Sequence, residues 1–84
     1  MKRYILICSN EEHQIVSCNA YKTPDQAATK LAGEYYAEFH DKLTTYQGNE
    51  RFIKANLDTT TDTAYVTYNE FGYFWQIKEV NVPE

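Results

Sequence analysis

Thr23-Pro24-Asp25-Gln26 is the part of this chain that leaves the least choice of conformation. The threonine hydroxyl can accept a hydrogen bond from one of the free amides at a helix start, and proline suits the first helical position because its missing N–H costs nothing there. Asp25 complements the positive end of the helix, and Gln26 can close a capping box. From Ala27 to about Leu43, Ala28, Leu31, Ala32, Tyr35, Phe39 and Leu43 recur at three- and four-residue spacing and form one apolar stripe. Lys30, Glu34, Glu38, Asp41 and Lys42 occupy the opposite side, with Lys30/Glu34 and Glu38/Lys42 one turn apart. Gly48 is the expected stop or loop residue. A helix with one apolar stripe has to cover something, and no second helix pattern exists in the chain to receive it.

The remaining apolar segments have strand periodicity. Residues 3–8 and 14–21 are short apolar or alternating runs around the polar stretch Asn10-Glu11-Glu12-His13, which reads as a hairpin. Ile5, Leu6 and Ile7 are apolar on both faces, as in a central strand, whereas Val16, Cys18 and Ala20 alternate with Ser17 and Asn19. After the helix, residues 52–57, 63–68 and 73–82 read as three more strands, joined by Asp58-Thr59-Thr60-Thr61-Asp62 and Asn69-Glu70-Phe71-Gly72. The expected order is ββαβββ. Short connections favour hairpins, so the expected fold is α+β: a two-layer, mainly antiparallel five-stranded sheet with one helix packed on one face, a single domain over residues 1–84. Alternation turns Ile53, Ala55, Leu57, Ala64 and Val66 toward the helix, and assigns Tyr4, Leu6, Phe52 and Tyr65 to the open face. In the last strand Tyr73, Trp75 and Ile77 share one parity and Phe74, Val80 and Val82 the other, which suggests a bulge or a strand that continues past the helix.

Charge and cysteine usage narrow the function classes. The formal net charge is -4, which opposes generic binding to duplex nucleic acid and to anionic membranes, since both recruit Lys and Arg. The apolar run after Met1-Lys2-Arg3 is too short for a signal peptide, and no segment is long enough to span a bilayer. Pairing Ser9 with Gln14 puts Ile7 beside Val16 and Ile5 beside Cys18, with Cys8 on the opposite face, so two reduced thiols in a cytoplasmic protein are the preferred reading over a Cys8–Cys18 disulfide.

Candidate functional residues fall into two groups. Tyr65, Tyr68, Phe71, Tyr73, Phe74 and Trp75 crowd one short stretch. Cross-strand packing in a thin core accounts for such a cluster, as does a protein interface or homodimer built on Tyr and Trp anchors, or stacking of single-stranded bases. Stacking also needs a cationic groove, for which only Lys54 and Lys78 look well placed. The second group is acidic, with Glu34, Glu38 and Asp41 on the helix and further carboxylates in the turns; it reads as a solvated face or as an imitation of nucleic-acid phosphates. Tyr65, Tyr68, Phe71, Tyr73, Trp75, Glu34, Glu38 and Asp41 are therefore the candidate partner-binding residues.

Catalysis finds little support. His13 and His40 have no Ser or Cys at a recognisable motif spacing, no zinc or calcium motif occurs, and Gly33, Gly48 and Gly72 stand too far apart to cradle a phosphate. No enzymatic activity, cofactor or metal is expected.

Arg3-Tyr4-Ile5-Leu6-Ile7, the acidic turn, the capped Ala- and Tyr-containing helix, and Tyr73-Phe74-Trp75-Gln76-Ile77-Lys78-Glu79-Val80 together resemble small orphan proteins of Gram-positive bacteria and their phages, anti-CRISPR inhibitors among them. The resemblance is one of general form and assigns no functional residue. It implies a non-enzymatic inhibitor that binds a defence nuclease or its ribonucleoprotein complex in the cytoplasm of a bacterial host. The expected function is thus a small acidic protein-binding inhibitor or adaptor, with a dimerising module or a small-ligand or single-strand binding domain as the alternatives.

Overall fold

Thr23 adopts an extended conformation (φ −127°, ψ 152°), and its hydroxyl accepts the Gln26 N–H at 3.1 Å in the computed structural model, which describes residues 1–83. The Gln26 side chain reaches one residue further back than a capping box requires, and accepts from the N–H of Lys22 at 3.2 Å. Helix α1 (Pro24–Thr45) starts from this double clamp. Around it stand β1 (Lys2–Asn10), β2 (Ile15–Tyr21), a 3-10 turn (Glu50–Phe52), β3 (Ile53–Asp58), β4 (Thr63–Tyr68) and β5 (Phe71–Asn81). The expected order ββαβββ holds. The five strands form one sheet in the order β2-β1-β5-β4-β3, antiparallel at every pairing, with the helix packed on one face.

The core lies where α1 crosses the sheet. Leu31 and Tyr35 of the helix meet Leu6 and Cys8 of β1, Ala64 and Val66 of β4, and Trp75 of β5, with Ala55 and Leu57 of β3 packed at the margin. The helix buries Ala27, Leu31 and Tyr35, four residues apart, rather than the broader stripe expected: Ala28 and Leu43 are exposed. A helix crossing a sheet touches it along one i+4 ridge, so the flanking apolar positions drift off the contact line.

Two expectations about β1 are corrected. Leu6 was assigned to the open face, yet it is 1% exposed beneath the helix, and Tyr4 shares its parity; Ile5 and Ile7 are the half-buried residues on the open side. Because β1 is apolar at both parities, its own pattern does not choose a face. Its neighbour does, since Cys8 pairs with Trp75 and Leu6 with Ile77. The register with β2 also differs. Asn10 Oδ1 accepts the N–H groups of Glu12 and Gln14 (2.9 and 3.0 Å), and His13 takes a left-handed φ of 63°. This tight turn places Ser9 opposite Ile15 and Cys8 opposite Ser17, so Val16 is left over as a bulge, and Ile7 and Ile5 meet Cys18 and Ala20 instead of Val16 and Cys18. The two cysteines still lie on opposite faces and are free thiols, Cys8 buried and Cys18 exposed.

β5 has no bulge. It pairs with β1 from Lys2–Asn81 to Asn10–Tyr73 without interruption, and its last residues run on beyond the helix into solvent. The loop before it is shorter than expected: Asn69 (φ 51°) and Glu70 (φ 76°) form a two-residue turn with both residues left-handed, the type I′ geometry of hairpins. Gly72 follows, where an added Cβ would drive into the Val66 carbonyl and come within 2.8 Å of the Thr67 Cα.

Candidate functional site

The aromatic stretch is divided by strand alternation between the two faces of the sheet. Trp75 is 3% exposed, with Tyr35 edge-on at 6.4 Å and Tyr73 tilted at 6.2 Å, so its ring belongs to the core and offers a partner no surface. Tyr73 is half-buried against the same core. Tyr68 is half-buried and stacks flat on Tyr46, with ring centroids 3.6 Å apart, while Phe52 meets it edge-on. Phe52 is not on the open face as expected; it sits in the 3-10 turn under the Arg51 guanidinium, 4.7 Å from the ring centroid. Phe71 is exposed at the hairpin tip, and Tyr65 is on the open face as expected. Its cross-strand partner there is Phe74, with centroids 6.3 Å apart. The open face thus carries one aromatic pair, Tyr65 and Phe74, with Lys54 and Lys78 on the same side by strand parity.

The acidic residues resolve into those used locally and those left free. Asp58 Oδ1 accepts the N–H groups of Thr60 and Thr61, which hold its carboxyl below the usual range, and backbone N–H groups at Gly48 and Glu50 do the same for Glu50. Glu11 Oε2 accepts the Gly72 N–H at 3.3 Å, tying the first turn to the last hairpin, and Glu79 lies 3.6 Å from Lys2. Glu34, Glu38 and Asp41 have no such hydrogen bond or ion pair among the described residues.

Glu34 and Glu38, one helical turn apart, line a cleft of about 310 Å³ between α1 and β2, with Tyr73 and Trp75 at its base and Val16 and Ser17 at its rim. Asp41 stands exposed on the next turn. Burial pushes the Glu38 carboxyl above its ordinary value; nearby Lys42 lowers it and Asp41 raises it. Cys8 lies in the same cleft, and burial, followed by the charges of Glu34 and Glu38, pushes its thiol up to about 11 against a hydrogen bond from Ser17. It is a protonated thiol at neutral pH, which makes it a poor nucleophile. Trp75 Nε1 is buried without a hydrogen-bond partner among the described residues. Further toward the start of the helix the cleft widens into a groove of about 840 Å³ beside Tyr21, Lys30 and Gly33. Among the described residues no set of three or more His, Cys, Asp and Glu side chains converges as a metal site, and no helix is long and apolar enough to cross a membrane.

Glu34 and Glu38 stand out in the sequence as a helical pair, but the cleft they line does not, because Ser17, Cys8 and Tyr73 reach it from three strands. Phe74 was visible as part of the aromatic stretch but was not among the candidate partner-binding residues, since its pairing with Tyr65 appears only in the sheet register. Tyr46, stacked on Tyr68 across the layers, had no local signal.

Fold and site together define the class: a two-layer α+β protein with one helix on an all-antiparallel five-stranded sheet and a carboxylate-lined cleft along one helix flank. Beyond that class, the chain matches no family model, and no curated protein or solved structure is significantly similar to it.

Proposed function

We propose that the chain is a small non-enzymatic binding protein, an inhibitor or adaptor that acts in the cytoplasm by engaging a basic surface of a protein partner through the α1 flank. The observation that carries this reading is the placement of Glu34 and Glu38 over the Tyr73–Trp75 base of one cleft, with Glu38 partly desolvated and neither carboxylate committed to a hydrogen bond or ion pair among the described residues. A carboxylate held away from water gains more from an incoming Arg or Lys than an exposed one does, and the half-buried Tyr73 ring beside Glu34 and Glu38 favours the same cations. Surfaces that bind nucleic acid are rich in such side chains, so a nuclease or ribonucleoprotein is the fitting partner class, and inhibition of a bacterial defence nuclease of the anti-CRISPR type is the most concrete version.

The test is an affinity capture from bacterial lysate with the tagged chain and with a Glu34→Lys/Glu38→Lys/Asp41→Lys variant shown by circular dichroism to be folded. A stoichiometric nuclease or ribonucleoprotein held by the natural chain and lost by the variant is the expected result. Equal retention by both would remove the acidic flank from the reading.

A second reading rests on the Tyr65–Phe74 pair, which with Lys54 and Lys78 makes the open face a small platform for single-stranded bases or a planar ligand. Its support is thinner, because two lysines give little backbone neutralisation.

A further inference from the structure

The sheet has two edges, β2 and β3, and they are guarded differently. β3 carries Lys54 and Asp58, charges that discourage an added strand. β2 (Ile15–Tyr21) has no charged residue and no proline, and its Ile15 and Val16 are 65% and 55% exposed. The bulge at Val16 disturbs only the end next to the turn, leaving Ser17–Tyr21 in regular register with β1. The Asn10 N–H donates to the Gln14 carbonyl, which sets the alternation of the ladder: Ser17, Asn19 and Tyr21 turn their backbone groups toward β1, and Cys18 and Ala20 turn theirs outward. Beside this edge the helix flank is low, with Gly33 and Ala37 lining the groove, and a Cβ on Gly33 would meet nothing within 4 Å.

We propose that β2 pairs antiparallel with β2 of a second copy of this chain, about a twofold axis near Cys18, joining two sheets into one. Self-complementarity selects this occupant. Laid antiparallel on itself, the strand brings Lys22, just past one end, toward the Glu11-Glu12 turn at the other end of its partner, twice over. A parallel arrangement would instead place like charges together. The helices obey the same twofold. Tyr21 lies beside the first half of α1 and Val16 beside the second, so Lys30 of one copy comes level with the Glu38 region of the other across the groove. A second copy and a basic partner thus compete for one flank, but the pairing stands apart from the inhibitor reading because it is tested on the purified chain alone.

Light scattering across a concentration series up to about 1 mM, the weak limit for a specific complex, reads the mass. Twice the 9.8 kDa chain mass is expected. Cys18→Lys puts two like charges opposite each other at the twofold axis while replacing an exposed side chain, and Ala20→Pro removes an outward N–H. Each should weaken the dimer at least about tenfold while circular dichroism stays unchanged; if Ala20→Pro fails to fold, Cys18→Lys alone decides. Tyr65→Ala, on the open sheet face, should leave the dimer intact. A monomer at every concentration overturns the proposal, as does a dimer that survives Cys18→Lys or is lost in Tyr65→Ala.

Discussion

Leu6 and Ile5 are neighbours in β1 with side chains of equal carbon count, and truncating each measures which face of the sheet the helix covers. Leu6 is 1% exposed, beneath Leu31 and Tyr35, whereas Ile5 is half-buried on the uncovered side. Leu6→Ala truncates a fully buried isobutyl side chain to a methyl in a site walled by Val66 and Trp75, which cannot collapse freely, so the cost should be about 3 kcal/mol within the usual large-to-small range. For a domain of this size that corresponds to about 12–24 °C in Tm. Ile5→Ala gives up only part of its transfer energy and leaves no closed cavity, so about 1 kcal/mol is expected. Trp75 is the single tryptophan and sits in the core, so its fluorescence reports urea unfolding directly. Both variants should lower the midpoint at unchanged slope, Leu6→Ala about three times as far. An Ile5→Ala variant as damaging as Leu6→Ala would refute the assignment of faces, and with it the position of the cleft.

The pH dependence of Asp58 has a definite sign. Its carboxyl is held low by the Thr60 N–H and then the Thr61 N–H, so the stability it contributes is present at neutral pH and is lost as pH falls through its lowered value. Asp58→Ala should be less stable than the natural chain at pH 7, and denaturant curves taken below that value should coincide. For the thiols, iodoacetamide should add one carbamidomethyl group to the native chain, at exposed Cys18, and two after denaturation, because Cys8 is buried and raised to about 11; two adducts on the native chain by intact mass would contradict the burial of Cys8.

Legibility in the sequence followed the locality of the signal. The helix start at Thr23–Gln26 is a set of bonds within five residues, so the Thr23 cap and Pro24 start were readable, although Gln26 bonds to the Lys22 N–H rather than closing the expected capping box. β4 was readable to the residue, because Ala64 and Val66 contrast with Tyr65 in size and alternate cleanly. β1 was not, since Ile5, Leu6 and Ile7 satisfy either face and only the pairing of Cys8 with Trp75 decides. The bulge at Val16 follows from the side chain of Asn10 bracing its own turn, which alternation alone does not reveal. The carboxylates of the site were visible as a helical series. The cleft was not, because it requires knowing that β2 stands beside α1.

The aromatic stretch illustrates why density of a residue type is a poor guide to function in a domain this small. A chain of 84 residues buries roughly 60–65% of its unfolded surface, and a single helix closes only the middle of its sheet. Large rings are the economical way to fill such a core. Trp75, Tyr35 and Tyr73 do that with few residues, and Tyr46 on Tyr68 seals the end of the helix against β4. Once those rings are taken inside, the surface features left without a partner among the described residues include the carboxylates of Glu34 and Glu38 and the outward backbone of β2. Both lie on one side of the molecule, where the proposed occupants would supply opposite charge or extended backbone. Substitutions at Trp75 or Tyr73 should therefore report on folding, whereas substitutions at Glu34, Glu38, Cys18 and Ala20 should report on binding with the fold intact.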